Sequence, residues 1–168
     1  MPILRRSQRD ILTLTDGWDT CMLGLLGEVQ AAEAGDFASR ARVAARWWAW
    51  RDHVWDTAIG QPAGIALRRG GDLLRWMRVA HESYQQALEN LDHSWSGSST
   101  AAREEIAALR VELVRLMRRE RRKLLVPLVR QMTQAERKEL LRTLLGVRPV
   151  EPPGREPSSS ESTHLEVS

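Results

Sequence analysis

DLLRWMRVAHESYQQALENLDHSW, residues 72–95, decides the fold. Within it Leu74, Met77, His81, Tyr84, Leu88, Leu91 and Trp95 recur at alternating spacings of three and four. Side chains at those spacings stack on one side of an α-helix, so the run reads as a helix with an apolar seam of the kind that packs in bundles. Asp72 stands where an N-cap belongs, and Gly70-Gly71 punctuates the chain before it. Strand signals are nearly absent elsewhere: few β-branched residues, no sustained alternation, no Asn-Gly or Asp-Gly hairpin. The chain is therefore expected to be all-α.

Toward the N-terminus, an amphipathic stretch Ser7–Thr15 meets Asp16-Gly17. With Asp16 as cap, Trp18, Met22, Leu25, Val29 and Ala32 form one apolar face. Gly35 is expected to close that helix and Asp36 to cap the next, which runs from Phe37 to about Ala58 and ends at Gly60-Gln61-Pro62. A short helical turn, Ala63–Arg69, follows. Toward the C-terminus, Ser94–Thr100 reads as a hinge, and Thr100 caps a helix whose seam is Ile106, Leu109, Leu113 and Leu116. Glu120 falls where the next seam residue should stand, and the stripe resumes at Leu124. Pro127 should kink or break this helix. Thr133-Gln-Ala-Glu136 is a capping-box pattern that opens a last helix to about Leu145, with Gly146 as its stop. No internal repeat is evident. The expected organisation is a bundle of about four helices over 1–95, a hinge at 96–100, a long basic amphipathic arm over 101–148, and a disordered acidic Pro/Ser-rich tail over 149–168.

At 168 residues the chain is long enough to bury one core. Cys21 is its single cysteine, which rules out an internal disulfide and a structural zinc site, and no cofactor motif is present. No apolar run approaches the roughly 18 residues of a membrane span. The first residues lack the apolar core of a signal peptide, so the expected location is intracellular, cytoplasmic or nuclear, and not secreted.

The net charge of +3 conceals an asymmetry. Residues 1–100 carry 11 Arg and 12 Asp/Glu, residues 101–148 carry 13 Arg/Lys and 6 Glu, and residues 149–168 carry one Arg and four Glu. The densest block, Arg115 to Lys123, holds six cations and one acid in nine residues. A helix that only covers a core needs mixed charge, so this block points to an anionic partner. The candidate anion- or nucleic-acid-binding residues are Arg103, Arg110, Arg115, Arg118, Arg119, Arg121, Arg122 and Lys123. Guanidinium forks bind phosphate and carboxylate bidentately. Arg118–Lys123 also has the form of a nuclear-localisation patch.

Four of the seven tryptophans, Trp47, Trp48, Trp50 and Trp55, lie within nine residues. Such a stripe serves either as core or as an interface anchor, since Trp and Arg dominate binding hot spots. The candidate protein interface comprises these four with Ile106, Leu109, Leu113 and Leu116, the last four offering either a homodimer seam or a face that packs back on the bundle. His81 on its seam reads as a packed, hydrogen-bonded histidine rather than a metal ligand. His81-Glu82-Ser-Tyr-Gln85 has glutamine where a zinc-protease helix needs its second histidine, and no Glu-x-x-His pair exists for a di-iron bundle.

Two further pairs, Arg46…His53 and Arg75…His81, resemble the loose helical motif of HEPN-type ribonucleases, in which the pair lies at a dimer seam. A Trp follows each Arg, where that family usually has a polar residue. The resemblance implies RNA cleavage as one alternative. The reading carried forward has no catalytic residues: a non-enzymatic accessory or regulatory protein that docks on a protein partner through its Trp- and Leu-rich faces while its arginine helix contacts an anion. The other alternative is an RNA- or DNA-binding regulator, RNA favoured, that uses the arginine helix.

Overall fold

The computed structural model describes residues 6–94 and 99–147, all in helices and short links. Helix α1 is Arg6–Ala31 and α2 is Ala34–Trp55. A π turn, Asp56–Gly60, leads without interruption into α3, Gln61–Ala66. Then come α4, Gly70–Ser94, and α5, Ser99–Glu120. A second π turn, Arg121–Leu125, runs into α6, Val126–Gln131, and α7 is Gln134–Gly146. Trp95, most of the expected hinge and the expected tail lie outside the described residues.

Four helices close a ring: α1 packs on α2, α2 on α4, α4 on α5, and α5 back on α1, with α7 lying against α1 and the first π turn. The expected arm is thus the fourth member of the bundle rather than an appendage. Its seam residues Ile106, Leu109 and Leu113 are buried and Leu116 is partly so. A single amphipathic helix is marginal in water, so α5 takes its stability from burying this stripe. The stripe is consumed inside the chain, the second of the two uses expected for it. Tyr84 on α4 fixes the contact further, its hydroxyl donating to the Leu109 carbonyl at 2.7 Å.

Asp16-Gly17 does not start a helix, because α1 runs straight through it. A helical glycine costs about 1 kcal/mol, and burial of Ile11, Leu12, Trp18 and Met22 on one continuous face outweighs it. Gly35 and Asp36 likewise sit inside the first turn of α2, whose cap position is Glu33. The capping box is as expected: Thr133 Oγ1 accepts from Glu136 N–H at 3.3 Å while Glu136 Oε2 accepts from Thr133 N–H at 2.6 Å.

Neither Pro62 nor Pro127 breaks its helix. A proline ring collides with the carbonyl four residues back and cannot donate a hydrogen bond. Each proline is the second residue of a six-residue helix that directly follows a five-residue π turn. In the turns, Gln61 N–H reaches Asp56 O and Val126 N–H reaches Arg121 O, the wider i to i−5 ring that absorbs such a defect. The two stretches share one build: 22 residues of α-helix, five of π turn, six of closing helix. Sixty-five residues apart, Trp48 and Leu113, Ile59 and Leu124, and Ala63 and Leu128 are buried in equivalent places. A repeat of architecture is therefore present where the letters show none.

Candidate anion-binding face and the buried charge ladder beneath it

The ring of helices has charge at its centre. Arg51 on α2 is 1% exposed, and its Nε–H and Nη2–H donate to Asp19 Oδ1 of α1 at 3.1 and 2.8 Å. The same Nη2 donates to Glu120 Oε2 at the end of α5, at 3.0 Å. Glu120 and His81 are both fully buried, and Glu120 Oε1 accepts from His81 Nε2. The other ring nitrogen, Nδ1, faces Asp52 Oδ1 of α2 at 2.5 Å. The result is an alternating ladder, Asp19–Arg51–Glu120–His81–Asp52, to which all four helices of the ring contribute. Its ends reach solvent, since the side chains of Asp19 and Asp52 are 21% and 38% exposed.

Indoles wall the ladder. The Arg51 guanidinium lies 5.0 Å from the Trp48 ring and 5.7 Å from the Trp55 ring. Trp48 Nε1–H donates to the His81 carbonyl at 3.2 Å, and its ring meets the imidazole edge-on at 5.0 Å. Trp47, Trp48 and Trp55 are core and Trp50 is partly buried, its ring against Trp18 and Trp47. The expected docking stripe is therefore the inner wall of the bundle: four indoles on one helix cover two neighbours and a guanidinium at once.

Burial opposes the charges of Arg51, Glu120 and His81, and their mutual attraction overrides it. Burial would lower His81, but the Glu120 carboxylate and the hydrogen bond that the imidazole donates to Asp52 raise it to about 8. Burial would raise Glu120, yet Arg51 and His81 hold it below the usual carboxylate range. Arg51 is pushed up by Glu120 and Asp19 in spite of its burial. At the α1 end burial wins: Asp19 titrates above an ordinary aspartate even with Arg51 beside it. Both nitrogens of His81 are engaged and its ring is sealed, so it has no access to a substrate.

Glu120 ends α5 amid the cation block, and the cations sort into two sets around it. Arg110 and Arg121 are half-buried tethers to α1: Arg110 donates to Gln30 at 2.9 Å, and Arg121 reaches Asp16 and the Leu12 carbonyl. Arg103, Arg115, Arg118, Arg119, Arg122 and Lys123 are exposed. At about 100° per residue, Arg115, Arg118, Arg119 and Arg122 share a sector opposite the buried stripe of Leu113, Met117 and Glu120. Among the described residues no carboxylate pairs with these exposed cations. The Arg119 guanidinium instead lies over half-buried Trp76 of α4, 4.1 Å from the ring centre.

A groove of about 420 Å³ between α2 and α4 is lined by Ala45, Arg46, Ala49, Gln85 and Leu88 among others, and a neighbouring one by Asp52, His53, Asp56, Arg78 and Glu82. Arg46 borders the first groove and His53 the second, whereas Arg75 is exposed and His81 buried. Among the described residues no helix is long and apolar enough to cross a membrane, and no cluster of three or more His, Cys, Asp and Glu could hold a metal ion. The chain matches no family model, and no curated protein or solved structure matches it.

Arg51, Glu120, Asp19 and Asp52 were not legible as a site in the sequence. The signal lay in three misfits. Glu120 occupies a seam position, His81 occupies a seam position, and Arg51 interrupts a tryptophan stripe. An acid, an imidazole and a guanidinium each misplaced on an apolar face imply one another.

Proposed function

We propose that this chain is a non-enzymatic regulatory protein that acts by binding a polyanion, nucleic acid first, on the outer face of α5 and the π turn that follows. One observation carries this: the exposed cations from Arg115 to Lys123 stand together with no carboxylate paired to them among the described residues, while Arg110 of α5 and Arg121 of the second π turn are tied down. Neighbouring like charges repel, and a helix serving only to cover a core gains nothing from them. Docking through the other candidate faces is less favoured, because Trp47, Trp48, Trp55, Ile106, Leu109 and Leu113 are buried and Trp50 and Leu116 are partly so. Guanidiniums one turn apart offer successive phosphates a row of partners, each contact releasing counterions.

The test is the salt dependence of binding. Changing Arg115, Arg118, Arg119 and Arg122 together to Gln keeps helix propensity and leaves the tether Arg121 in place. Affinity for a labelled single-stranded oligonucleotide should drop by orders of magnitude at low salt, and the slope of log affinity against log salt should flatten by about three. An unchanged slope would remove this face from the function. A second reading, an acidic protein surface, is favoured by the Arg119–Trp76 stack, a pairing common in protein hot spots. It predicts partner capture that survives nuclease treatment.

A further inference from the structure

Asp52 and Glu120 face opposite nitrogens of one imidazole. An ionised carboxylate only accepts hydrogen bonds, so both nitrogens must donate, and only the imidazolium does that. The two carboxylates hold the charge in place against the burial of the ring and the like charge of Arg51. Arg51 of α2 shares Glu120, and Asp56 of the first π turn adds a nearby negative charge that is itself paired with Arg78 of α4. Glu82 on α4 points to solvent, and α3 has no titratable side chain. From the second π turn, Arg121 turns away to Asp16 while Arg122 and Lys123 are exposed.

We propose that His81 is a proton-operated clasp that sets the geometry of the cation face, so that polyanion binding is strong when the imidazole is charged and weakens when it is neutral. The proposal rests on the polyanion reading and supplies its regulation. Glu120 sits between Arg119 and Arg121 and is the last residue before the π turn, so the backbone carrying Arg118, Arg119 and Arg122 is fixed where Glu120 is fixed. Losing the proton sets a nitrogen lone pair against a carboxylate lone pair in the sealed centre. Either Glu120 or Asp52 then lets go of α4. The face itself is blind to this change, since arginines keep their charge throughout. Raised to about 8, His81 places the transition just above neutrality.

The experiment uses the full chain and a fluorescein-labelled oligouridylate of about 20 nucleotides, at constant ionic strength from about pH 6.5 to about pH 9. Affinity should fall about fivefold or more with a midpoint near the His81 ring-carbon titration followed by NMR in the same samples. His81→Gln should bind with a flat pH profile. Asp52→Asn removes one of the two carboxylates and leaves the buried pairs intact, so both midpoints should move down together. A residue that served only packing would not shift them.

A fall in affinity that persists in His81→Gln, as an amino terminus would give, overturns the proposal, as does a pH-independent affinity while His81 titrates. Should His81→Gln not fold, the Asp52→Asn shift decides. Should the oligonucleotide bind at no pH, the polyanion reading fails by itself. Hydrogen exchange of the amides from Met117 to Leu125 then judges the clasp: protection lost across the His81 midpoint supports it, and unchanged protection sinks it.

Discussion

Glu120 is the one rung that joins the two buried cations Arg51 and His81, and its loss shows what the ladder is worth. Removing one partner of a buried pair leaves the others uncompensated, so Glu120→Leu should cost about 3–5 kcal/mol in urea unfolding. Replacing Arg51 by Met, His81 by Leu and Glu120 by Leu together should restore most of that loss, because apolar groups of similar volume substitute well for a complete buried network. A triple variant as unstable as the single one would mean that the ladder is not a unit. The proton on His81 has its own signature. Its value is raised from 6.5 in the free side chain to about 8, so its stabilisation is complete below pH 6.5 and disappears as pH climbs through about 8. That shift corresponds to roughly 2 kcal/mol. The urea midpoint should fall between about pH 6.5 and about pH 9 in the parent and much less in His81→Gln; a midpoint that rose with pH would reverse the sign and the assignment. The histidine's packed, hydrogen-bonded state followed from its seam position. Its partners did not, because Asp52 and Glu120 lie 29 and 39 residues away in the chain and only the closed ring of helices brings them together.

Helical periodicity carried the helices themselves, and local punctuation misled at their ends. Asp16-Gly17, Gly35-Asp36, Gly60-Gln61-Pro62 and Pro127 all read as boundaries, yet each lies within a helix or beside a π turn. Packing on one continuous apolar face outweighs a glycine or a proline when the adjoining turns are buried. The glycines now separate by surroundings. A Cβ at Gly17 or Gly24 meets nothing within 4 Å, so alanine at either should raise stability by about 0.5–1 kcal/mol. Gly70 differs: a Cβ there would strike the carbonyl oxygens of Ala63 and Gly64, where α4 crosses α3. Gly70→Ala should lose about 1–3 kcal/mol in the same thermal or urea series, and equal effects at Gly17 and Gly70 would refute the close approach. The repeated build of α2–α3 and α5–α6 escaped a reading of letters because sizes are exchanged between the copies: Phe37, Ala41 and Ala44 in the first correspond to Ala102, Ile106 and Leu109 in the second. Burial is shared at these positions while identity and size are not.

At the scale of the molecule, the bundle turns Trp47, Trp48, Trp55 and its leucine seams inward, closes them around Arg51, and leaves Arg115, Arg118, Arg119 and Arg122 outside. The all-α class and the cation block were both legible, the first from periodicity and the second from charge density. What stayed hidden was the sorting of that block, because exposure of Arg118 and tethering of Arg121 depend on where α1 passes. The central claim is that the exposed face from Arg115 to Lys123, braced from below by Glu120, is where this protein meets a polyanion. The most direct measurement is chemical-shift mapping of the labelled full chain during titration with oligouridylate at low salt. The account predicts that the largest changes fall on the backbone and guanidinium signals of Arg115, Arg118, Arg119 and Arg122 and on the Trp76 indole, with the groove beside Arg46 and the one beside His53 both unmoved. Changes centred on either groove, or none anywhere at low salt, would contradict it.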